Sequence, residues 1–314
     1  MDLSEAISEP FVQLIDFHNA FNRGIKVSYG AMIFLADQTK SNDPGNIVVV
    51  PTGSEPWGGA TRWRDLDRPL KEASIFISEM GITRAAAAFE NYLIDAKSEF
   101  DRANLQPADT AGTGASALKR LDALLGANTL AMRDLIAMVE FFDAARNCVV
   151  HRSNVASDQL ARLRNAPATL DALTRWPKRT GKWTLSLPSV VEDQVVEWQP
   201  RHAIFASDVF YRCARALDQI LVDRMGPAAM ARMAAHWCFI AVPPVPCPAK
   251  LNPETMVRRQ LTNRYRSRTT IPETVALLKQ TDMWDKAREA WNKQYPDGPE
   301  TAAARHRRAR RARR

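Results

Sequence analysis

Apolar residues recur at helical spacing along most of the chain and at strand spacing in only a few short places. Phe11, Leu14, Ile15, His18 and Phe21 share one side of a helix that Ser8 and Pro10 start. Residues 47–50, an Ile-Val-Val-Val run between Gly45 and Pro51, read as a short buried strand or a lone apolar run. Residues 52–64, with Trp57-Gly58-Gly59, read as loop. Residues 65–80 predict a helix carrying Leu70, Ala73, Ile75, Phe76 and Ile77, and Thr83 caps the next, in which Ala85, Phe89, Tyr92, Leu93 and Ala96 form a stripe. Further helices are expected over residues 116–125, from Asn128 through His151, and over 158–173, 204–225, 230–241, 256–268 and 272–294. Residues 176–198 break the habit: Trp183, Leu185 and Leu187 alternate with polar residues, which predicts a small β-hairpin-like insertion. Gly226-Pro227 stops the long helix before it, and the prolines of residues 242–253 make an extended linker.

The expected architecture is therefore mostly α, with residues 1–80 an N-terminal extension, 81–226 a central up-down helical bundle, 227–298 a C-terminal helical extension and 299–314 a disordered tail. Composition agrees with a packed chain, since 46% of the 314 residues are hydrophobic and 25% charged. That balance excludes a collagen, a disordered regulator and a disulfide-stapled miniprotein. The net charge of +8 is not spread evenly. Seven arginines lie in the last ten residues, and without them 36 basic residues face 35 acidic ones. Cys148, Cys213, Cys238 and Cys247 lack metal-type spacing and read as reduced thiols; no metal or cofactor is expected. With no signal-peptide pattern and no membrane-spanning apolar run, a cytoplasmic protein is expected.

One segment conflicts with its own pattern. Leu135, Val139, Phe142, Arg146 and Val150 fall at helical steps, which sets an arginine in an apolar stripe. Arg146-Asn147-Cys148-Val149-Val150-His151 then joins a group that can clamp a phosphate to one that can move a proton. Those two roles suit phosphodiester cleavage without metal, in which a neighbouring 2′-hydroxyl attacks and a cation steadies the pentacoordinate oxyanion. Only RNA supplies that hydroxyl. Each helical residue turns about 100°, so Arg146 and His151 stand roughly 140° apart in azimuth. Asn147, four residues before His151, shares its face and is placed to orient the imidazole. Arg146 must reach around the helix or meet the histidine of a second subunit across a two-fold axis.

Arg146-Asn147-x-x-x-His151 resembles the Arg-polar-x-x-x-His signature of the HEPN domains (higher eukaryotes and prokaryotes nucleotide-binding). The helix holding Phe89-Glu90-Asn91-Tyr92-Leu93, the Leu121-Asp122-Ala123-Leu124-Leu125-Gly126 stretch and the helix over 204–225 are similar to that family's other helices. The resemblance covers residues 83–225, about half the chain; residues 176–198 depart from a minimal bundle of this kind. It implies an all-α bundle, a homodimer and a metal-independent endoribonuclease of toxin–antitoxin or antiphage-defence type, with an antitoxin or defence-system partner. By the same transfer His151 is the acid or base, Arg146 the phosphate clamp, Asn147 its polar partner and Glu90 an acidic residue that pairs with Arg146.

RNA contact is expected of Arg152 and of the tail arginines Arg305, Arg307, Arg308, Arg310 and Arg311, whose affinity for phosphates falls with salt. Arg258, Arg259, Arg264, Arg266 and Arg268, interleaved with Tyr265, form a second basic stripe that suits a stacked single strand or an exposed helix face. Ser153 and Asn154 read as caps before RNA ligands, His18 as a satisfied core histidine and His202 as a helix cap. The competing reading is a non-catalytic HEPN-like dimeric module that binds nucleic acid or protein.

Overall fold

The computed structural model describes residues 5–40, 48–50, 61–63, 66–104, 116–125, 131–176, 186–241 and 252–294. The chain is mostly helical, with ten helices among the described residues. Four are long: α1 (Glu9–Lys40), α2 (Asp67–Ala103), α4 (Arg133–His151) and α7 (Pro200–Phe239). The others are α3 (Ala117–Leu125), α5 (Asp158–Asn165), α6 (Pro167–Arg175), α8 (Pro253–Tyr265), α9 (Ile271–Gln280) and α10 (Trp284–Gln294). Strand β1 (Val48–Val50) pairs antiparallel with β2 (Thr61–Trp63), Val49 opposite Arg62. The expected strand is present, and three residues of the expected loop are its partner. No helix among the described residues is long and apolar enough to cross a membrane.

Several helix ends differ from the pattern, each for a local reason. α2 runs through residues 80–83, where a break was expected. Thr83 does not cap a helix; its hydroxyl donates back to the Glu79 carbonyl at 3.0 Å. Gly81 serves close packing: a Cβ there would lie 2.7 Å from the Ala203 Cβ on α7. Pro167 splits residues 158–173 because the residue before a proline is driven out of helical geometry, and Ala166 indeed sits at φ −63°, ψ 135°. Asp282, at φ 53°, separates α9 from α10. Gly226, at φ 65° and ψ 175°, ends one helix before the next starts at Pro227, as expected, so α7 is two helices joined at a kink; α4 begins at Arg133 after an uncapped Met132. Asn128 lies outside the described residues.

The expected β-hairpin over 176–198 is not what the described part forms. Residues 177–185 lie outside the described residues. Val195 makes an isolated antiparallel bridge with Val155, so this segment pairs with the turn after α4.

The chain divides into two compact units. The first comprises residues 1–13, 92–126 and 214–314. Its core gathers Met230, Met233 and Cys238 of α7 with Val257, Leu261 and Tyr265 of α8, Leu278 of α9 and Trp291 of α10. Full burial of such side chains contributes about 1.5–3 kcal/mol each. The second unit comprises residues 14–91 and 127–213. Here α4 packs on α5 and α6. Phe89 of α2 stacks on Phe210 of α7 at 5.1 Å, and Phe142 of α4 meets Phe205 and Phe210 edge-on. The boundary expected after residue 80 falls inside α2, and the one expected after residue 226 falls at the kink in α7.

Candidate functional site

The buried side of α4 runs through Met138, Phe141, Phe142, Ala145 and Cys148. Arg146 comes one residue after Ala145, or about 100° around, and stands half-buried at the edge of that side. The conflict seen in the sequence is thereby resolved: the stripe through Leu135, Val139, Phe142, Arg146 and Val150 leaves the core along its length, from fully buried Val139 and Phe142 to half-buried Arg146 and then Val150, which is 46% exposed. An arginine at this boundary keeps its charge near water while its stem packs.

Charged and polar groups of the second unit surround it. The Arg146 guanidinium donates to Asn147 Oδ1 at 2.9 Å. Asp143, three residues earlier on the helix, has its carboxyl pushed up by burial; Arg146 pulls it down and Glu90 of α2 pushes it further up. Arg146, Asp143 and Glu90 therefore share one electrostatic neighbourhood across α2 and α4. Glu90 is half-buried, as its place in the core-facing helix requires. Asp143 was not singled out from the sequence, although its i−3 spacing to Arg146 is the legible sign of such a neighbour. Asn147 is exposed and turned to Arg146, so its carbonyl oxygen is spent on the guanidinium and not on His151.

His151 is the last residue of α4 and is exposed. A hydrogen-bonded turn comes directly after it. The Cys148 carbonyl accepts from the backbone N–H groups of both Arg152 and Asn154, each at 3.0 Å. Ser153 and Asn154 are both left-handed, at φ 50° and 67°, a conformation that asparagine tolerates better than most residues. Asn154 is buried, and both ends of its amide are used. Nδ2 donates to the Val196 carbonyl at 2.8 Å, and Oδ1 accepts from Trp198 Nε1 at 2.7 Å. Backbone bonds from Val196 N–H to the Asn154 carbonyl and from Ala156 N–H to the Gln194 carbonyl extend the clamp. Cys148 fastens its far end: its thiol and the Ser157 hydroxyl lie at 3.4 Å, and Ser157 caps α5 by accepting from Leu160 N–H. The segment before α7 thus holds the turn that directly follows His151. Asn154, with both ends of its buried amide taken, is a clamp residue.

Other candidates fall differently. Arg152 is engaged with Asp193 at 2.9 Å, with both side chains largely exposed, an ion pair that solvent leaves weak. Arg305, Arg307, Arg308, Arg310 and Arg311 lie outside the described residues. In the basic stripe, Tyr265 is wholly buried, so it offers no stacking surface. Arg264 pairs with Glu9 and lies over the Trp237 ring at 4.8 Å, and Arg268 faces Glu5. His18 is satisfied as expected, with Nδ1 2.8 Å from the Ser207 hydroxyl and its ring stacked on Tyr211. His202 Nδ1 accepts from Gln199 N–H at 3.0 Å and caps the start of α7; burial, then neighbouring Arg201, lowers it to about 4. Cys148, Cys213 and Cys238 are free, buried thiols. Cys247 lies outside the described residues, among which no three His, Cys, Asp or Glu side chains are grouped to hold a metal ion.

Comparison of this chain with protein-family models, with curated proteins and with solved structures gives no match.

Proposed function

We propose that the chain is a metal-independent endoribonuclease that resembles the HEPN type. The observation that supports it is the Arg146 neighbourhood: a half-buried guanidinium with Asn147, Asp143 and Glu90 around it, just over one turn before an exposed histidine that a clamped turn directly follows. Arg146 binds the scissile phosphate and takes up charge as the pentacoordinate state forms. His151 removes the proton from the ribose 2′-hydroxyl, which attacks the phosphorus. The P–O5′ bond breaks and the leaving 5′-oxygen takes a proton from water, giving a 2′,3′-cyclic phosphate and a 5′-hydroxyl end. Asn147 orients the guanidinium. Asp143 and Glu90 keep the cation in place, since a half-buried arginine is costly without neighbouring acid. The protein acts as a homodimer, and the arginine-rich end raises the local concentration of RNA through charge alone. A role in toxin–antitoxin or antiphage defence, with a cognate partner, is drawn from the same resemblance.

The test is cleavage of mixed cellular RNA by the purified protein in EDTA, beside Arg146→Ala and His151→Ala. Cutting that survives EDTA, yields cyclic phosphate ends and falls by a factor of about 10² or more in each variant is the expected result. A folded protein that binds RNA without cutting it is instead the dimeric binding module.

A further inference from the structure

The second unit has a cleft of about 380 Å³ beside the clamp on the turn after His151. That volume lies in the range of small-molecule sites, about 300–1,000 Å³. Its walls come from three places in the sequence. Tyr29 of α1 is 43% exposed, Ile75 belongs to α2, and Trp198, Pro200 and Arg201 lie at the start of α7. Tyr29, Ile75 and Pro200 make an apolar and aromatic surface. Ser74 and Gln199 add groups that both donate and accept.

The charges in the cleft are available. Arg201 is exposed on the first turn of α7. Lys71 meets Glu197 at 3.2 Å, but the two side chains are 68% and 72% exposed, so the pair is weak and either partner can turn to a ligand. One face suited to a planar ring, a polar rim for its edge and a cation for an attached anion describe the needs of a nucleotide. Unpaired RNA bases are read in this way, by aromatic contact and edge hydrogen bonds, with arginine on the phosphate.

The location ties this cleft to the candidate chemistry. Trp198 lines it and donates its indole N–H to Asn154, three residues after His151. A nucleotide seated in the cleft therefore sits against the clamp on the turn that directly follows the histidine.

We propose that this cleft binds one nucleotide, its base on the Tyr29–Ile75–Pro200 surface and its phosphate at Arg201; its use as the subsite beside the scissile bond rests on the ribonuclease reading. The experiment is calorimetric titration of the full chain with uridine and adenosine 3′-monophosphates and with inorganic phosphate, repeated on Tyr29→Ala and Arg201→Ala. Both residues are exposed, so both variants keep the wild-type unfolding midpoint. The expected result is nucleotide binding that weakens about tenfold or more in each variant, with inorganic phosphate binding more weakly than either nucleotide. Absence of nucleotide binding, binding in both variants as tight as in wild type, or phosphate binding as tight as nucleotide would overturn it. The same variants are then assayed for RNA cleavage. Cutting at wild-type KM in both would overturn the subsite while leaving the ribonuclease reading intact. Nucleotide binding lost in the variants, by a protein that cuts no RNA, would keep the cleft and sink the ribonuclease.

Discussion

Asn154 shows at the scale of one residue how a side chain can fix a turn. Its amide satisfies the Val196 carbonyl and the Trp198 indole, and its backbone is left-handed. Asn154→Ala strands both buried partners, at about 1–3 kcal/mol each, and adds about 1–2 kcal/mol for an alanine at positive φ. Asn154→Gly loses the same two bonds but not the backbone penalty. Urea unfolding is expected to rank wild type above the glycine variant and that above the alanine variant; equal losses would show that the left-handed backbone contributes nothing. Glu99 of the first unit predicts a pH effect. It is 5% exposed and faces Tyr265, Glu9, Asp218 and Arg264; burial raises its carboxyl from 4.5 to about 8. Asp218, held by the Ser8 amide and hydroxyl, is raised by burial from 3.8 to about 6. In those windows the unfolded chain has lost a proton that the native chain keeps, so stability falls as pH rises. The decline runs from about pH 4 to about pH 8 and then levels. Glu99→Gln, tested by thermal unfolding across that range, is expected to flatten it by an amount on the order of a few kcal/mol. A slope unchanged in the variant would mean that Glu99 titrates alike in both states. Arg146, Asn147 and His151 were legible because their relation is local to one helix. The tie from Asn154 to Trp198 spans 44 residues and has no local signature.

Among the elements, two glycines lie within long helical stretches for different reasons, and the sequence treats them alike. Gly81 reads as a break, yet α2 continues through it because the space beside it belongs to Ala203. Gly81→Ala sets two Cβ atoms 2.7 Å apart on helix backbones. Overpacking of this kind costs about 1–3 kcal/mol. Gly226 has nothing within 4 Å of an added Cβ, but its φ 65°, ψ 175° is a region almost reserved for glycine. Gly226→Ala costs about 1–3 kcal/mol from backbone strain alone. The two are separable by rescue. Adding Ala203→Gly to Gly81→Ala should recover much of the lost unfolding temperature, whereas adding it to Gly226→Ala should only lower it further. No rescue in the first pair would show that the close approach is not what Gly81 provides. Periodicity located nearly every helix, since a half-buried helix must carry an apolar side. It misplaced their ends at Gly81 and Pro167, where a partner helix or the backbone decides and the apolar rhythm does not.

For the whole molecule, no pattern along the sequence foretold that each compact unit draws on separated stretches of chain, since periodicity is a local property. On the proposed ribonuclease reading, the question at this scale is where the second half of the catalytic pair comes from. Along α4, Arg146 and His151 are five residues and about 140° apart, and Arg146 is directed to Asn147. A histidine from a second copy, brought in across a two-fold axis, removes the need for either side chain to reach around its own helix. Mixed dimers decide between the arrangements. Arg146→Ala and His151→Ala chains, each expected to be inactive alone on the proposed reading, are co-expressed with different tags and carried through a tandem purification of the mixture. In a composite site, every mixed dimer keeps one intact Arg146–His151 pair and one doubly defective site. Random pairing makes about half of all dimers mixed, so the unfractionated mixture recovers roughly a quarter of wild-type cleavage and the purified mixed dimer about half. If each chain builds its own site, every site in the mixed dimer lacks one residue and nothing is recovered. Recovery in the mixed fraction, absent from either single-variant dimer, therefore reports a site shared by two subunits, and its absence in a folded, RNA-binding mixed dimer returns both residues to one chain.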